Sequence, residues 1–191
     1  GLPKQHHAGF EETLRKTIAA APGRIALYHY AHLPALFKPQ RRIAEADLPS
    51  SEEKARMFES AVSMFARAGY RHLGLDHFAL EDDELSVAQR EGRLHRNFQG
   101  YCSHDAGDLV ALGVSSISSV GDVYAQNDKL LDGYYRRIEH GTLPVVRGIV
   151  LDADDFVRRD AINALMCDFR IDWSALDARR GIDSRRWLAG S

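Results

Sequence analysis

An apolar repeat with helical spacing, followed at once by a short alternating stretch, constrains the start of the chain most strongly. Apolar side chains recur every four positions, which predicts an amphipathic helix over Phe10–Ala20. Pro22 and Gly23 disfavour its continuation. The next stretch, Arg24–Tyr30, places side chains alternately on two faces and predicts a strand.

A second helix and strand follow a loop that contains several prolines. Ser50 and Glu53 form a capping-box pattern, in which each side chain satisfies a backbone N–H of the first turn. An apolar stripe continues to Gly69, a typical C-terminal stop for a helix. The pattern of Tyr70–Leu75 then predicts another strand, and Asp76–Phe78 follow directly at its end.

This alternation of helices and strands predicts the α/β class with parallel strands. Ligand-binding groups in such folds lie at the carboxyl ends of strands. Two segments meet that condition, Tyr28–His32 and Asp76–Phe78.

The rest of the chain has a less regular pattern. A short helix capped by Asp82 is predicted over Asp82–Arg90, and His95–Tyr101 is predicted as a polar and aromatic loop. Asn127 is predicted to cap a further helix. The last 45 residues are predicted to be helical.

Composition excludes several classes of function. The net charge is -2, and from residue 147 onward eight Arg are balanced by eight Asp, so we expect no nucleic-acid partner. No apolar stretch has the ~20 residues needed to cross a membrane. The two cysteines are too few for a disulfide framework, which favours a reducing, cytoplasmic location.

No catalytic motif is evident from the residues alone. The nine histidines show no metal-binding spacing, and no nucleophile elbow, P-loop or GxGxxG pattern is present. Asp76 beside His77 is a possible proton-transfer pair, although a structural histidine bonded to backbone is the ordinary alternative. The small-residue stretch Gly113–Gly121 is a weak signal for close backbone approach to a ligand.

Several motifs occur in the same order as in a known family, the oxygen-independent coproporphyrinogen III oxidases, which the chain resembles. The motifs that carry the resemblance are GLPKQ at Gly1–Gln5, YAHLP at Tyr30–Pro34, LDHFALEDDEL at Leu75–Leu85, AQREGRLHRNFQGY at Ala88–Tyr101, GVSSIS at Gly113–Ser118 and GDVYAQN at Gly121–Asn127.

The resemblance implies radical chemistry in porphyrin and haem biosynthesis. In that family a [4Fe-4S] cluster reduces S-adenosylmethionine, two molecules of which are bound, and a 5′-deoxyadenosyl radical results. The radical removes hydrogen from a propionate of coproporphyrinogen III, and loss of CO₂ and an electron to an acceptor leaves a vinyl group. Two propionates react, giving protoporphyrinogen IX.

The resemblance also implies cofactor-binding positions. Ala31 and Ile117 match positions that line an S-adenosylmethionine site, and Tyr28 stands where an aromatic residue is found in the family. Phe98 and Gln99 match positions beside the second S-adenosylmethionine, where an aromatic face and an amide suit an adenosyl or methionine group. For the apolar positions, core packing is the alternative interpretation.

Four further residues are candidates for substrate binding because of their polarity and placement: Asp76, His77, Arg96 and Asn97. A guanidinium such as that of Arg96 holds a carboxylate by two hydrogen bonds, although a surface salt bridge is equally compatible with the sequence. No catalytic residue is assigned.

The chain departs from the family pattern at the cluster. Cys102 and Cys167 cannot supply the family's CxxxCxxC arrangement, so we expect no metal ligand here and no cluster binding or oxidase activity by this polypeptide alone. The implied fold is the C-terminal part of a radical-SAM (β/α) partial TIM barrel over residues 1–125, followed by an incomplete helical domain over residues 126–191. A related haem chaperone and a non-enzymatic α/β interaction module remain as alternatives.

Overall fold

The computed structural model describes residues 1–105 and 107–189. The chain divides into two compact units, Gly1–Val87 and Ala88–Ser191. Within the described ranges no helix is both long enough and apolar enough to traverse a bilayer.

The first unit contains two long helices and a three-stranded sheet. Its regular elements are α1 (His7–Ala20), β1 (Arg24–Ala26), α2 (Ser51–Arg67), β2 (Tyr70–Gly74) and β3 (His77–Leu80), with short 3-10 turns at Lys38–Arg42 and Glu45–Asp47. The helix α3 (Glu84–Arg90) runs across the division between the units.

Both long helices form where the sequence predicts them. α1 ends at Ala21, which adopts a left-handed conformation directly before Pro22. The predicted cap of α2 is present, because the Ser50 side chain accepts a hydrogen bond from the backbone N–H of Glu53 at 3.2 Å. The stop at Gly69 is also present, with a positive φ of 85° that favours glycine.

The sheet differs from the predicted parallel arrangement. β3 lies between β1 and β2 and is antiparallel to both. The predicted second strand is therefore one arm of a hairpin, which turns at Gly74 and Leu75 with φ values of 150° and 49°. His77 and Phe78 belong to the returning strand instead of a loop. The predicted strand Arg24–Tyr30 is also shorter, since only its first three residues pair.

One aromatic core holds this unit together. Phe65 is 1% exposed, and its ring centre lies 4.9 Å from that of Phe78 and 5.7 Å from that of Tyr70. The buried members of the core come from both helices and from the hairpin: Phe10, Leu14, Met57, Ala61, Phe65, Tyr70 and Phe78. The apolar stripes of the two helices therefore face the same sheet surface, as amphipathic helices do.

The second unit consists of a hairpin, a three-stranded sheet and four helices. Its elements are β4 (His95–Asn97), β5 (Gly100–Cys102), β6 (Ile117–Val120), β7 (Val123–Asn127), α4 (Leu131–Glu139), β8 (Val145–Val150), α5 (Ala153–Asp168), α6 (Trp173–Arg180) and α7 (Ser184–Ala189). β7 is antiparallel to both of its neighbours in the sheet β6–β7–β8.

Four local predictions for this half of the chain were wrong. The loop at His95–Tyr101 contains the β4–β5 hairpin, and the tail predicted as helical contains the strand β8. Asp83, not Asp82, caps α3 by accepting from the backbone N–H of Leu85 at 2.8 Å. Asn127 ends the strand β7 and does not cap α4, whose N-cap residue is Leu130.

The mixed α/β class is confirmed, with antiparallel pairing among the described strands. The predicted boundary between residues 125 and 126 falls inside β7, whereas the two compact units divide after Val87. A barrel portion over residues 1–125 and a helical domain over residues 126–191 stay a prediction.

Candidate functional site

Two predicted segments of the first unit meet at one end of its sheet. β1 pairs with β3 so that Ala26 lies opposite His77. The next residue, Leu27, donates its backbone N–H to the carbonyl oxygen of Asp76 at 2.7 Å. The loop that begins with Tyr28 therefore leaves the sheet beside the hairpin turn that carries Asp76.

The Asp76 and His77 side chains contact one another. The Asp76 Oδ1 atom lies 2.8 Å from His77 Nδ1, and the two side chains are 26% and 30% exposed. A carboxylate in this position fixes the orientation of an imidazole. The structure thus contains the predicted Asp76–His77 contact. Its role in binding substrate stays a prediction.

The loop after β1 is closed by one glutamine. Gln40 Nε2 donates to the carbonyl oxygen of Ala31 at 3.1 Å, and its Oε1 accepts from the backbone N–H of Leu33. The amide therefore fixes the YAHLP backbone while the side chains of Tyr28 and Ala31 stay exposed. Because Tyr28 is 74% exposed, the core-packing alternative does not describe its side chain in this structure.

In the second unit, Phe98 and Gln99 form the two-residue turn between β4 and β5. Asn97 lies opposite Gly100 in the hairpin register, and Asn97 Oδ1 accepts from the backbone N–H of Gln99 at 2.8 Å. Such a bond from an asparagine to the backbone two residues later is a common way to fix a turn. Asn97 therefore supports the two predicted cofactor contacts.

The Arg96 side chain packs on its cross-strand neighbour. Its guanidinium carbon lies 4.9 Å from the ring centre of Tyr101, the residue opposite it in the hairpin. Its Nη1 atom is buried and has no hydrogen-bond partner among the described residues. The cation–π contact stabilises the hairpin. The predicted role of Arg96 with a substrate propionate remains untested.

The Phe98 ring contacts the sheet that carries Ile117. It packs edge-on against Tyr124, with ring centres 4.9 Å apart and an interplanar angle of 89°. Tyr124 lies on β7, which pairs with the strand of Ile117 through the partners Ile117 and Gln126. Three of the predicted cofactor contacts, Phe98, Gln99 and Ile117, therefore belong to one unit and to neighbouring elements.

The strand register defines one face of this sheet, here called the Tyr124 face. Directly paired residues of antiparallel strands share a face, and every second residue of a strand does so. By these two rules the Tyr124 face consists of Ile117, Ser119, Tyr124, Gln126, Arg147 and Ile149. The last five of these residues were not predicted from the sequence, although the alternation in VYAQN and VVRGIV is typical of strands.

The described residues do not provide a metal site. No group of three or more His, Cys, Asp or Glu side chains within residues 1–105 and 107–189 is arranged to hold an ion. Burial raises the pKa of Cys167 to about 12 and also raises the pKa of Cys102, so both favour the neutral thiol over the thiolate that binds metals. A cavity of about 230 Å³ lies between α5, α6 and α7, and no predicted site residue lines it.

Comparison with known proteins places these features in a family. The chain is 46% identical over 189 residues to the oxygen-independent coproporphyrinogen III oxidases of Salmonella typhimurium and Pseudomonas aeruginosa. It is 38% identical over 183 residues to that of Helicobacter pylori. Over this region the chain is therefore similar to members of the oxygen-independent coproporphyrinogen III oxidase family. No protein-family model matches it.

A solved structure gives the same family. Coproporphyrinogen III oxidase from Escherichia coli, described as a radical SAM enzyme, superposes with a TM-score of 0.93 and 44% identity. The match covers 99% of this chain and 44% of that one. The chain likewise spans 41% of the Salmonella and Pseudomonas oxidases. The predicted resemblance to this family and the mixed α/β class are therefore confirmed, while the domain boundary and the residue roles stay predictions.

Proposed function

We propose that this chain forms part of an oxygen-independent coproporphyrinogen III oxidase of porphyrin and haem biosynthesis. The complete protein would decarboxylate two propionates of coproporphyrinogen III oxidatively and give protoporphyrinogen IX, passing electrons to an acceptor. The observation that carries the proposal is the 46% identity over 99% of the chain to enzymes of that name. A cytoplasmic location is part of the same proposal.

The proposed cofactors are S-adenosylmethionine, two molecules of it, and a [4Fe-4S] cluster. Together they supply the radical that removes hydrogen from a propionate. The described residues fit S-adenosylmethionine, because Phe98, 47% exposed on a fixed turn, offers an aromatic edge beside Gln99. Ile117 adds apolar contact on the neighbouring sheet.

The described residues do not fit the cluster. Cys102 donates its thiol to the carbonyl oxygen of His95 at 3.6 Å, and Cys167 donates to Asn163 Oδ1 at 3.8 Å. Both sulfur atoms are thus engaged as neutral donors inside the second unit. We therefore place the cluster ligands in parts of the complete oxidase that this chain does not contain.

The first unit would act as a rigid support for ligand contacts. Tyr28 and Ala31 lie on the loop that Gln40 fixes, and the Asp76–His77 pair lies at the adjacent hairpin turn. His77, oriented by Asp76, suits a hydrogen bond to a polar substrate group. Each of these roles depends on one side chain, and replacement of that side chain tests it.

The central experiment measures the activity of the complete protein. Purified without oxygen and supplied with S-adenosylmethionine and a reductant, it should convert coproporphyrinogen III to protoporphyrinogen IX, detected as protoporphyrin fluorescence after oxidation. Product must depend on S-adenosylmethionine. If S-adenosylmethionine is cleaved but coproporphyrinogen III stays unchanged, the family holds and the substrate is wrong.

A pair of phenylalanine variants tests the proposed cofactor contact. Phe98→Ala should raise the KM for S-adenosylmethionine about 3- to 10-fold, the usual value of one aromatic contact. Phe37→Ala is the matched control, because Phe37 is similarly exposed at 54% but lies outside the predicted site. Equal effects of the two substitutions would remove Phe98 from the cofactor site.

Reconstitution of the isolated chain tests the placement of the cluster. With iron and sulfide, the 191-residue chain should develop no charge-transfer band at roughly 400 nm, whereas the complete oxidase should. A stoichiometric band from the chain alone would show that it carries cluster ligands.

A further inference from the structure

The Tyr124 face combines apolar and cationic groups on one exposed surface. Ile149 is 53% exposed and Tyr124 is half-buried. The Phe98 and Tyr124 rings pack edge-on. Arg147 is exposed at the end of the row that runs from Ile117 through Gln126. The six residues of this face include no Asp or Glu, so no carboxylate on the face neutralises the arginine.

Arg147 is held in place by a relay of two hydrogen bonds. Its Nε donates to Gln126 Oε1 at 2.7 Å, and Gln126 Nε2 donates to the carbonyl oxygen of Ser115 at 2.8 Å. The relay fixes one edge of the guanidinium to the sheet. Among the residues that the structure describes, neither Nη atom of Arg147 has a hydrogen-bond or ion-pair partner.

This arrangement differs from that of two arginines on the helices α5 and α6. Arg158 and Arg180 each contact an aspartate through their guanidinium groups. An arginine that only keeps the surface soluble does not require a fixed side chain, because water solvates it in any orientation. The two-bond relay restricts that freedom before any ligand arrives, which lowers the entropy cost of binding.

We infer that Arg147 binds a carboxylate of an amphipathic ligand that lies on the Tyr124 face. A guanidinium with both Nη groups available recognises a carboxylate through paired, charge-assisted hydrogen bonds. The apolar body of that ligand contacts Ile117, Ile149 and the Phe98–Tyr124 pair. The inference rests on the proposed function, which offers two such carboxylates: a propionate of the porphyrinogen and the amino-acid carboxylate of S-adenosylmethionine.

The experiment measures equilibrium binding to the complete oxidase, so that it does not depend on turnover. The ligands are coproporphyrin III, the stable oxidised form of the substrate, and S-adenosylmethionine, titrated separately. Arg147→Gln should weaken binding of one ligand by about 10-fold or more, as expected for loss of a charged hydrogen-bond pair. Arg147→Lys should recover only part of this, because lysine keeps the charge without the planar fork.

Two further variants distinguish ligand binding from general damage. Gln126→Leu should weaken the same ligand by a smaller factor, because it frees the guanidinium without removing it. Arg137→Gln, an exposed residue of α4 that is not part of the Tyr124 face, should change neither affinity. Circular dichroism establishes that each variant is folded.

The ligand that loses affinity identifies the source of the carboxylate. Loss for coproporphyrin III assigns Arg147 to a propionate, and loss for S-adenosylmethionine assigns it to the cofactor. Unchanged affinity for both ligands, with wild-type activity intact, overturns the inference and leaves the proposed function standing. If the wild-type protein binds neither ligand and forms no protoporphyrinogen, the proposed function and the inference both fail.

Discussion

The two units use their large apolar side chains in opposite ways. In the first unit, two helices and a hairpin enclose Phe65, Phe78 and Leu14, each no more than 2% exposed. In the second, the strand β8 leaves Val146, Ile149 and Val150 exposed, and its flanking turn leaves Leu143 79% exposed. The same residue types therefore form a closed core around Phe65 and an open surface along β8.

The second unit compensates for its open sheet with polar contacts. Asn127 is 5% exposed, and its Nδ2 lies 3.3 Å and 3.0 Å from the carbonyl oxygens of Ala111 and Gly113. Glycine also has a specific place here, since a Cβ at Gly148 would lie 2.7 Å from the carbonyl oxygen of Tyr124. Burial thus stabilises the first unit, while hydrogen bonds and close backbone approach stabilise the sheet of the second unit.

The largest expected effect concerns the aromatic core. Phe65→Ala should lower the free energy of unfolding of the first unit by about 3–5 kcal/mol, because it leaves a cavity between Tyr70 and Phe78. Ile149→Ala, on the open face, should cost less than ~1 kcal/mol. Hydrogen exchange resolved by peptide assigns each loss to its unit.

The contrast between the closed core around Phe65 and the open Tyr124 face would be contradicted if Ile149→Ala had the larger or an equal effect. If Ile149→Ala accelerated exchange throughout residues 88–189 as strongly as Phe65→Ala does in residues 1–87, the Tyr124 face would be part of a core. It would then not be available to a ligand.

A smaller effect is expected from the buried asparagine. Asn127→Leu leaves the carbonyl oxygens of Ala111 and Gly113 without this donor, and should cost about 1–3 kcal/mol. The backbone N–H groups of Ser115 and Asn127, which donate to Asp128 and Ser116, should exchange faster. The exposed neighbour Lys129 provides the control, since Lys129→Leu should stay within ~0.5 kcal/mol. A neutral Asn127→Leu would mean that the sheet needs no polar support at its end.

The long helices could be predicted because their signals are local. The spacing of apolar residues, the cap at Ser50 and the stop at Gly69 all act within a few residues of the chain. Strand pairing depends on partners that are distant in sequence, which is why the strands were predicted to be parallel although β3 pairs antiparallel with both β1 and β2. The turn at Gly74 and Leu75 was the local clue that β3 returns between them.

The candidate site was only partly predictable for a related reason. Motif order and resemblance pointed to Phe98, Gln99 and Ile117, and the structure places these three within the second unit. The hairpin and the sheet are connected by the contact between the Phe98 and Tyr124 rings. No spacing of residues in the sequence predicts this contact. Arg147 was missed because β8 was hidden in a stretch predicted as helical, where alternation was not considered.

The effect that is smallest at neutral pH concerns Cys167, because it appears only at alkaline pH. Burial raises the pKa of this thiol to about 12 in the folded chain, well above its unfolded value of about 8.5–9. Below pH 8 the thiol is neutral in both states and contributes nothing to the pH dependence. As the pH rises from about 9 towards 12, the unfolded thiol ionises first.

Stability of the second unit should therefore fall over that window, by up to ~1 kcal/mol per pH unit from this group. Urea unfolding at several pH values measures the slope, and Cys167→Ala, which removes the thiol, should flatten it. Cys102→Ala should flatten it less, because the Cys102 side chain is only partly buried while Cys167 is 2% exposed. If both variants leave the alkaline slope unchanged, the second unit already opens around Cys167 before the thiol ionises, and its interior is less closed than the contacts of α5 with β4 and β5 indicate.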